Sequence, residues 1–322
     1  MEKRPEVIMK KSYLLVILIL LSLLSLFIGV RKVSFLDVLK LENAAIRTMV
    51  LSRIPRLISL ILAGMGMSIS GLIMQQLSQN KFVSPTTAGT IDSAQLGILF
   101  SLIIFPAASP LVKMLLSFFF ALTGSFLFVF ILRKIKLKNT VIIPLIGIMM
   151  ASIIGSISNF FAYRYNLVQS LSSWMQGNFS MVIKGRYELL YISVPLVILA
   201  YFYTNQFTIA GMGEDFAFNL GLNYKTIVNM GISIVALISS LVVITVGRIP
   251  FLGLIIPNLI SIYYGDNLRK NIIPTALAGA VFLLFSDILS RIIIYPYEIP
   301  ISLTVGILGS IIFLYLLFRR KA

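Results

Sequence analysis

Two acidic residues lie within strongly apolar runs, where a carboxylate is costly and usually marks a functional site. Asp287 is followed four positions later by Arg291. This spacing puts both side chains on one face of a helix and predicts an ion pair with a structural role. Asp92 has no basic residue close to it in the sequence. It would either support the irregular backbone that precedes it or bind a proton or a cation, and the sequence leaves both interpretations open.

The residue types in this chain offer few candidates for enzymatic chemistry. There is no cysteine and no histidine, which removes disulfides, metal sites built from cysteine or histidine, cysteine and histidine nucleophiles, and the usual general base. The sequence also lacks a glycine-rich phosphate loop ending in Lys-Ser or Lys-Thr. We therefore expect no catalytic residue, no metal site and no cofactor, and an ATP-driven step would require a separate polypeptide.

The composition predicts a protein of the cell membrane. Of the 322 residues, 58% are hydrophobic and 12% are charged, which is too apolar for a soluble domain. The net charge of +16 comes from basic residues clustered at the ends of apolar runs. That distribution fits contact with the anionic headgroups of a lipid bilayer better than contact with nucleic acid.

The apolar runs divide into ten predicted helices at about 20 residues per span, fewer where a span is broken. We predict an all-α, multi-pass protein with a single transmembrane domain over residues 1–322. The strongly basic segment 133–138 predicts a cytoplasmic loop, and an even number of spans places both termini in the cytoplasm. The spans are expected near residues 12–30, 56–77, 87–105, 111–132, 140–163, 187–203, 227–246, a short run ending near 264, 274–294 and 300–318.

Polar and helix-breaking residues indicate where a path through the membrane would lie. Gln75, Asn80 and Pro85 follow the second span in a segment rich in amides and hydroxyls, which predicts irregular backbone near membrane depth. Asn159 lies among small residues of the fifth span. We predict that these four residues and Asp92 line the path, with Gln75 and Asn80 as candidates for gating.

Small residues on one side of the second span predict unusually close helix packing. Glycines alternate there with alanine and serine, which leaves almost no side-chain bulk on that side. The residues concerned are Ala63, Gly64, Gly66, Ser68, Ser70 and Gly71.

The segment 211–225, between the sixth and seventh predicted spans, suits contact with a soluble partner. Gly213 can begin a short helix and Gly221 can end it, with Glu214 and Asp215 in the first turn, where the helix dipole favours anions. On that helix two apolar pairs would form two faces. From the residues alone, a knob for another protein and an ordinary loop at the membrane interface are equally good interpretations. The pairs are Phe216 with Leu220 and Phe218 with Leu222.

Ordered motifs along nearly the whole chain resemble the permease subunits of bacterial iron(III)-siderophore and vitamin B12 ABC importers. Details at Lys81–Asp92 and Gly253–Asn258 are most similar to the branch that serves petrobactin and related catecholate siderophores. The motifs are Arg53-Ile-Pro-Arg56, Ala63-Gly64 through Gly71 and Gln75, Asn80 and Pro85, Trp174-Met-Gln-Gly177, Gly213-Glu214 with Leu220-Gly221, Phe251-Leu-Gly253 with Pro257, and Asp287, Arg291, Glu298-Ile-Pro300 and Gly306.

The resemblance implies a set of partners. It predicts a permease that pairs with a second permease, more often a different chain than a copy, with two ATP-binding subunits and with an extracellular siderophore-binding protein. It makes Glu214–Leu222 the helix that couples to the ATPase, and the fifth and tenth spans the lining of the path. It also implies that Arg53, Arg56 and Arg291 at the outer face engage glutamates of the binding protein. The competing hypothesis is an ion-coupled secondary transporter that uses Asp92.

Overall fold

The computed structural model describes residues 11–29, 37, 42–134, 142–185 and 187–319. Most of the basic segment after the fourth predicted span lies outside these residues. The elements of the described part are helical, which confirms the all-α prediction. They are α1 (Lys11–Phe27), α2 (Asn43–Thr48), α3 (Ile54–Leu77), α4 (Thr90–Ile104), α5 (Pro110–Lys134), α6 (Ile142–Arg164), α7 (Val168–Met175), α8 (Ser193–Phe202), α9 (Thr204–Ala210), α10 (Glu214–Asn219), α11 (Tyr224–Val246), α12 (Leu252–Tyr264), α13 (Leu268–Ile292) and α14 (Ile301–Arg319).

Within the described residues, six helical segments are long and apolar enough to cross a membrane, and a bent pair makes a possible seventh. The six are Asn43–Leu77, which joins α2 to α3, and the segments of α5, α6, α11, α13 and α14. The shorter apolar helices α1, α4 and α12 occupy the remaining predicted positions. The structure therefore confirms a multi-pass protein, while the count of ten spans and the location of the termini stay predictions.

The sixth predicted span ends later than the sequence indicates. We expected it to stop near residue 203, but the chain bends by 62° between α8 and α9 and continues as a helix to Ala210. The polar residues after Tyr203 suggested a loop, yet Thr204 is 2% exposed and its hydroxyl donates to the carbonyl of Tyr201 at 2.8 Å. This local bond satisfies the hydroxyl within the bend, so burial of the threonine is tolerated.

Helix α3 lies at the centre of the bundle and packs against α11, α12 and α13. A Cβ atom placed on Gly71 would lie 1.8 Å from the carbonyl oxygen of Gly253 in α12, and one on Gly64 would lie 2.7 Å from the Gly279 oxygen in α13. The backbones therefore touch directly, which confirms the close packing predicted from the small residues of the second span. One continuous buried cluster extends from Leu14 to Val305, and the single-domain organisation stays a prediction.

Helices α6 and α14 lie at the periphery. Their most apolar windows are only 17% and 22% buried, compared with 72% for Asn43–Leu77 and 78% for α11. These two helices therefore present most of their surface away from this chain, to lipid or to another subunit.

Candidate functional site

Helix α10 is a short, exposed knob with defined ends. It begins after Gly213, whose φ of +114° is a conformation that other residues rarely adopt. Beyond its last turn, Gly221 has φ +73°. The amide of Leu222 donates to the carbonyl of Ala217, and that of Gly221 to the carbonyl of Phe218, both at 2.9 Å. This pair of bonds is the Schellman ending that a C-terminal glycine predicts.

The knob carries its apolar side chains outward. Ala217 is fully buried beneath it, whereas Phe216, Phe218 and Leu220 are 47%, 79% and 55% exposed. Glu214 and Asp215 are also exposed, in the first turn. An open groove of about 550 Å³ lies beside the helix, lined by Glu214, Phe218, Gly221, Leu222, Asn223, Tyr224 and Lys225. The segment thus pairs aromatic knobs with an adjacent groove, an arrangement suited to a protein partner.

The three arginines predicted to engage the binding protein are buried, and their docking role stays a prediction. Arg53, Arg56 and Arg291 are only 7%, 8% and 3% exposed. Arg56 donates to Oδ1 of Asp287 at 2.8 Å and to Oε2 of Glu298 at 2.7 Å. Arg291 pairs with the other oxygen of Asp287, which confirms the ion pair expected from their spacing. The structure thus joins α3, α13 and the segment before α14 through one charged cluster.

The same cluster fastens the end of α1. Arg53 donates to the carbonyls of Leu26 and Ile28, and Arg291 donates to those of Ser25 and Ile28 at 2.9 Å. The last carbonyls of a helix have no intrahelical partner and carry partial negative charge, so cations stabilise them. Both arginines therefore cap α1.

Gln75 and Asn80 are buried and form hydrogen bonds with backbone groups. Gln75 is 9% exposed and its amide donates to the carbonyl of Leu254 at 3.2 Å. Asn80 is 2% exposed and its side-chain oxygen accepts from the amide of Phe82 at 2.8 Å. The segment between α3 and α4 is irregular, as predicted, and Pro85 is buried within it against Gly253. A gating role for the two amides stays a prediction.

Asp92 has a partner that local sequence does not reveal. Its carboxylate, at the start of α4, pairs with the guanidinium of Arg248, which lies between α11 and α12. This pairing gives Asp92 a structural explanation, because ionisable residues within a membrane bundle commonly pair with one another. The ion-coupled hypothesis stays a prediction. Arg248 is the functional candidate that the sequence analysis missed, and its one signal was a second copy of the tripeptide Arg-Ile-Pro.

Asn159 lies on an exposed polar stripe of α6. Ser152, Ser156 and Asn159 are exposed, and a Cβ on Gly155 would meet nothing within 4 Å. A polar face turned to lipid would be unfavourable. This stripe therefore suits a water-filled path or a neighbouring subunit.

A bundle of long apolar helices with interrupted backbone is the architecture of a multi-pass membrane protein, and the comparisons with known proteins make it a transport permease of the cell membrane. The chain belongs to the FecCD transport family, whose model matches residues 16–319. It is 61% identical to the petrobactin import system permease protein YclN of Bacillus subtilis, over 98% of this chain and 99% of that one. It is 38% identical to the ferric-anguibactin transport system permease protein FatD of Vibrio anguillarum, over 92% and 94%.

The fold also matches a solved structure. A chain described as an inward-facing conformation of a metal-chelate type ABC transporter superposes with a TM-score of 0.82, covering 96% of this chain and 98% of that one. The two sequences are 21% identical, so this likeness establishes the shared permease fold.

Proposed function

We propose that this chain is a permease subunit of an ABC importer that moves an iron(III)-siderophore of the petrobactin or catecholate type into the cytoplasm. It works with a second permease, more suitably a different chain than a copy, with two ATP-binding subunits and with an extracellular siderophore-binding protein. The observation that carries the proposal is the exposed knob α10, whose two exposed aromatic rings suit a surface that a partner covers. The names of the most similar relatives support the cargo.

In this mechanism α10 is the coupling helix. Phe216 and Phe218 seat in the ATPase, while Glu214 and Asp215 add charge complementarity at the rim. ATP binding draws the two ATPases together, and α10 carries that movement to α11, which follows it directly in the chain. The helices around the path then alternate between outward and inward openings.

The outer end receives the loaded binding protein. We propose that Arg53, Arg56 and Arg291 act there chiefly by holding the docking surface in shape, because their guanidinium groups are buried against Asp287, Glu298 and the end of α1. The exposed polar stripe of α6, with Asn159, and the exposed surface of α14 would line the path against the second permease.

Iron uptake in cells that contain the full importer tests this proposal. Radioactive iron is supplied as a ferric catecholate or as a ferric hydroxamate, and the permease is native, Phe218→Ala or Phe105→Ala. Phe105 is the matched control, since it is 51% exposed at the end of α4. We expect catecholate uptake only, a loss of about tenfold or more for Phe218→Ala, as for an interface hot spot, and native uptake for Phe105→Ala. Native uptake by Phe218→Ala would contradict the coupling role.

A further inference from the structure

Arg248 lies between α11 and α12, beside the chain that follows α7 and the start of α4. Its amide donates to the carbonyl of Met175 at 3.0 Å, and the amide of Asn178 donates to the carbonyl of Val246 at 3.0 Å. Gly177, in the same segment, lies so close that a Cβ on it would be 2.6 Å from the Arg248 oxygen. The backbone of Arg248 is therefore held by the chain that follows α7, and its side chain projects from a fixed position.

The ion pair of Arg248 lies deep in the bundle. Asp92 is in the first turn of α4, where the hydroxyls of Thr90 and Ser125 are 2.7 Å apart. Ser125 is near the middle of the long helix α5, so α4 begins far from both ends of the bundle. An ionisable group at such depth is costly and, in membrane proteins, marks a substrate pathway unless it serves only to pair.

The pair leaves part of the guanidinium unused. Asp92 accepts from one terminal nitrogen, whereas the buried Nε of Arg248 has no hydrogen-bond partner among the described residues. The arginine side chain is 40% exposed and that of the aspartate 13%. An arginine can donate five hydrogen bonds in a planar fork that suits pairs of anionic oxygens. Arg248 thus offers a partly exposed cation whose backbone is held in position.

We propose that Arg248 contacts the cargo, binding an anionic ferric chelate as it passes, and that Asp92 holds the guanidinium in place between transport cycles. The inference rests on the proposed function and names the chemistry of its cargo. Each bound catecholate brings two negative charges to an ion with three positive ones, so two or more catecholates leave the chelate anionic. When the chelate binds, its oxygens replace Asp92 as the partner of the guanidinium. Asp92 pairs with the guanidinium again when the chelate leaves.

The experiment measures ATP-driven uptake of ferric petrobactin by proteoliposomes that contain the complete importer. The permease is native, Arg248→Gln, Arg248→Lys, Asp92→Asn or the control Arg164→Gln, which removes an exposed arginine at the end of α6. We expect Arg248→Gln to lower the uptake rate about tenfold, the loss of one charge-assisted hydrogen bond. Asp92→Asn keeps the cation and should stay within about threefold of native, and Arg164→Gln should match native. Arg248→Lys keeps the charge but loses the planar fork, so its uptake rate should lie between those of native and Arg248→Gln.

The thermal unfolding midpoint of each purified complex shows whether Arg248 contacts the cargo or only stabilises the fold through its pair with Asp92. Equal losses of uptake in Arg248→Gln and Asp92→Asn, accompanied by equal drops in the midpoint, would show that the pair only holds α4 to the segment before α12 and would overturn the inference. Native uptake by Arg248→Gln would overturn it as well, while leaving the proposed function intact. If the native complex shows no ATP-driven uptake, the proposed function fails and this inference fails with it.

Discussion

At the scale of single residues, the buried charges act between elements. Asp287 is fully buried and accepts from both Arg56 and Arg291, so one carboxylate connects α3 to α13 and, through Arg291, to α1. Removing one member of a buried network leaves the others without compensation in a region of low dielectric, which costs more than the network contributes when complete. Substituting these residues should therefore reduce the stability of the permease more than it weakens docking of the binding protein.

Asp287→Asn tests this directly. We expect a loss of about 3–5 kcal/mol in the free energy of unfolding, because, among the residues that the structure describes, Arg56 and Arg291 would keep Glu298 alone as an ion-pair partner. The midpoint of thermal unfolding of the purified permease in detergent measures the loss. The control is Asp266→Asn, which breaks the surface pair with Lys81, where the aspartate side chain is 69% exposed; its cost should be within about 1 kcal/mol. Equal midpoints for the two variants would show that the cluster is not structural.

The two intramembrane acids show what sequence spacing can and cannot give. The pair Asp287 and Arg291 could be predicted because both residues share one helix face, four positions apart. The pair Asp92 and Arg248 could not, since 156 positions separate them and only the packing of α4 against the segment before α12 brings them together. The burial of Arg56 was equally hidden, because its anions come from α13 and from the chain before α14.

At the scale of elements, the crossing of α3 and α12 depends on the absence of side chains. Gly71→Ala should destabilise the protein by about 1–3 kcal/mol or more, because the new Cβ would lie 1.8 Å from the backbone oxygen of Gly253, which cannot turn away. Gly155→Ala is the matched control: its Cβ meets nothing, and alanine favours the helix by up to about 1 kcal/mol. Thermal unfolding in detergent compares the two. A stable Gly71→Ala variant would mean that the two helices are further apart.

The ending of α10 depends on one backbone angle. Gly221 has φ +73° and open space where a Cβ would be, so a substitution there tests conformation without steric conflict. Gly221→Val should weaken ATPase binding by about tenfold, since a left-handed residue costs a β-branched side chain roughly 1–2 kcal/mol or more. Gly221→Asn should retain binding, because asparagine tolerates this conformation. Co-purification of the ATPase with each variant measures the difference, and equal binding would contradict a role for the shape of α10.

The ends of α10 could be predicted from glycines in the sequence, whereas the bend between α8 and α9 could not. Gly213 and Gly221 predicted both ends of α10, because few other residues adopt their backbone angles. The bend between α8 and α9 was missed, since Thr204, Asn205 and Gln206 have the composition of a loop. Tertiary packing around Thr204 and Phe207 overrides that composition and buries both residues.

At the scale of the whole molecule, this chain is incomplete as a transporter. Its best-buried spans surround α3, while α6 and α14 turn most of their surface outward and α10 exposes aromatic rings beyond the bundle. The two kinds of unpartnered surface differ in chemistry: the stripe on α6 is polar and the knob is aromatic. A second permease beside α6 and α14, and an ATPase over α10, would cover both.

We propose that transport by this permease is driven by ATP hydrolysed on another subunit. Uptake of radioactive ferric petrobactin tests this in proteoliposomes that contain this permease, its partner permease and the binding protein, with and without the ATP-binding subunits. We expect uptake only when the ATPase and hydrolysable ATP are both present. Uptake at the same rate without the ATPase, driven by an ion gradient alone, would show that this permease is not driven by ATP and would return Asp92 to the centre of the mechanism.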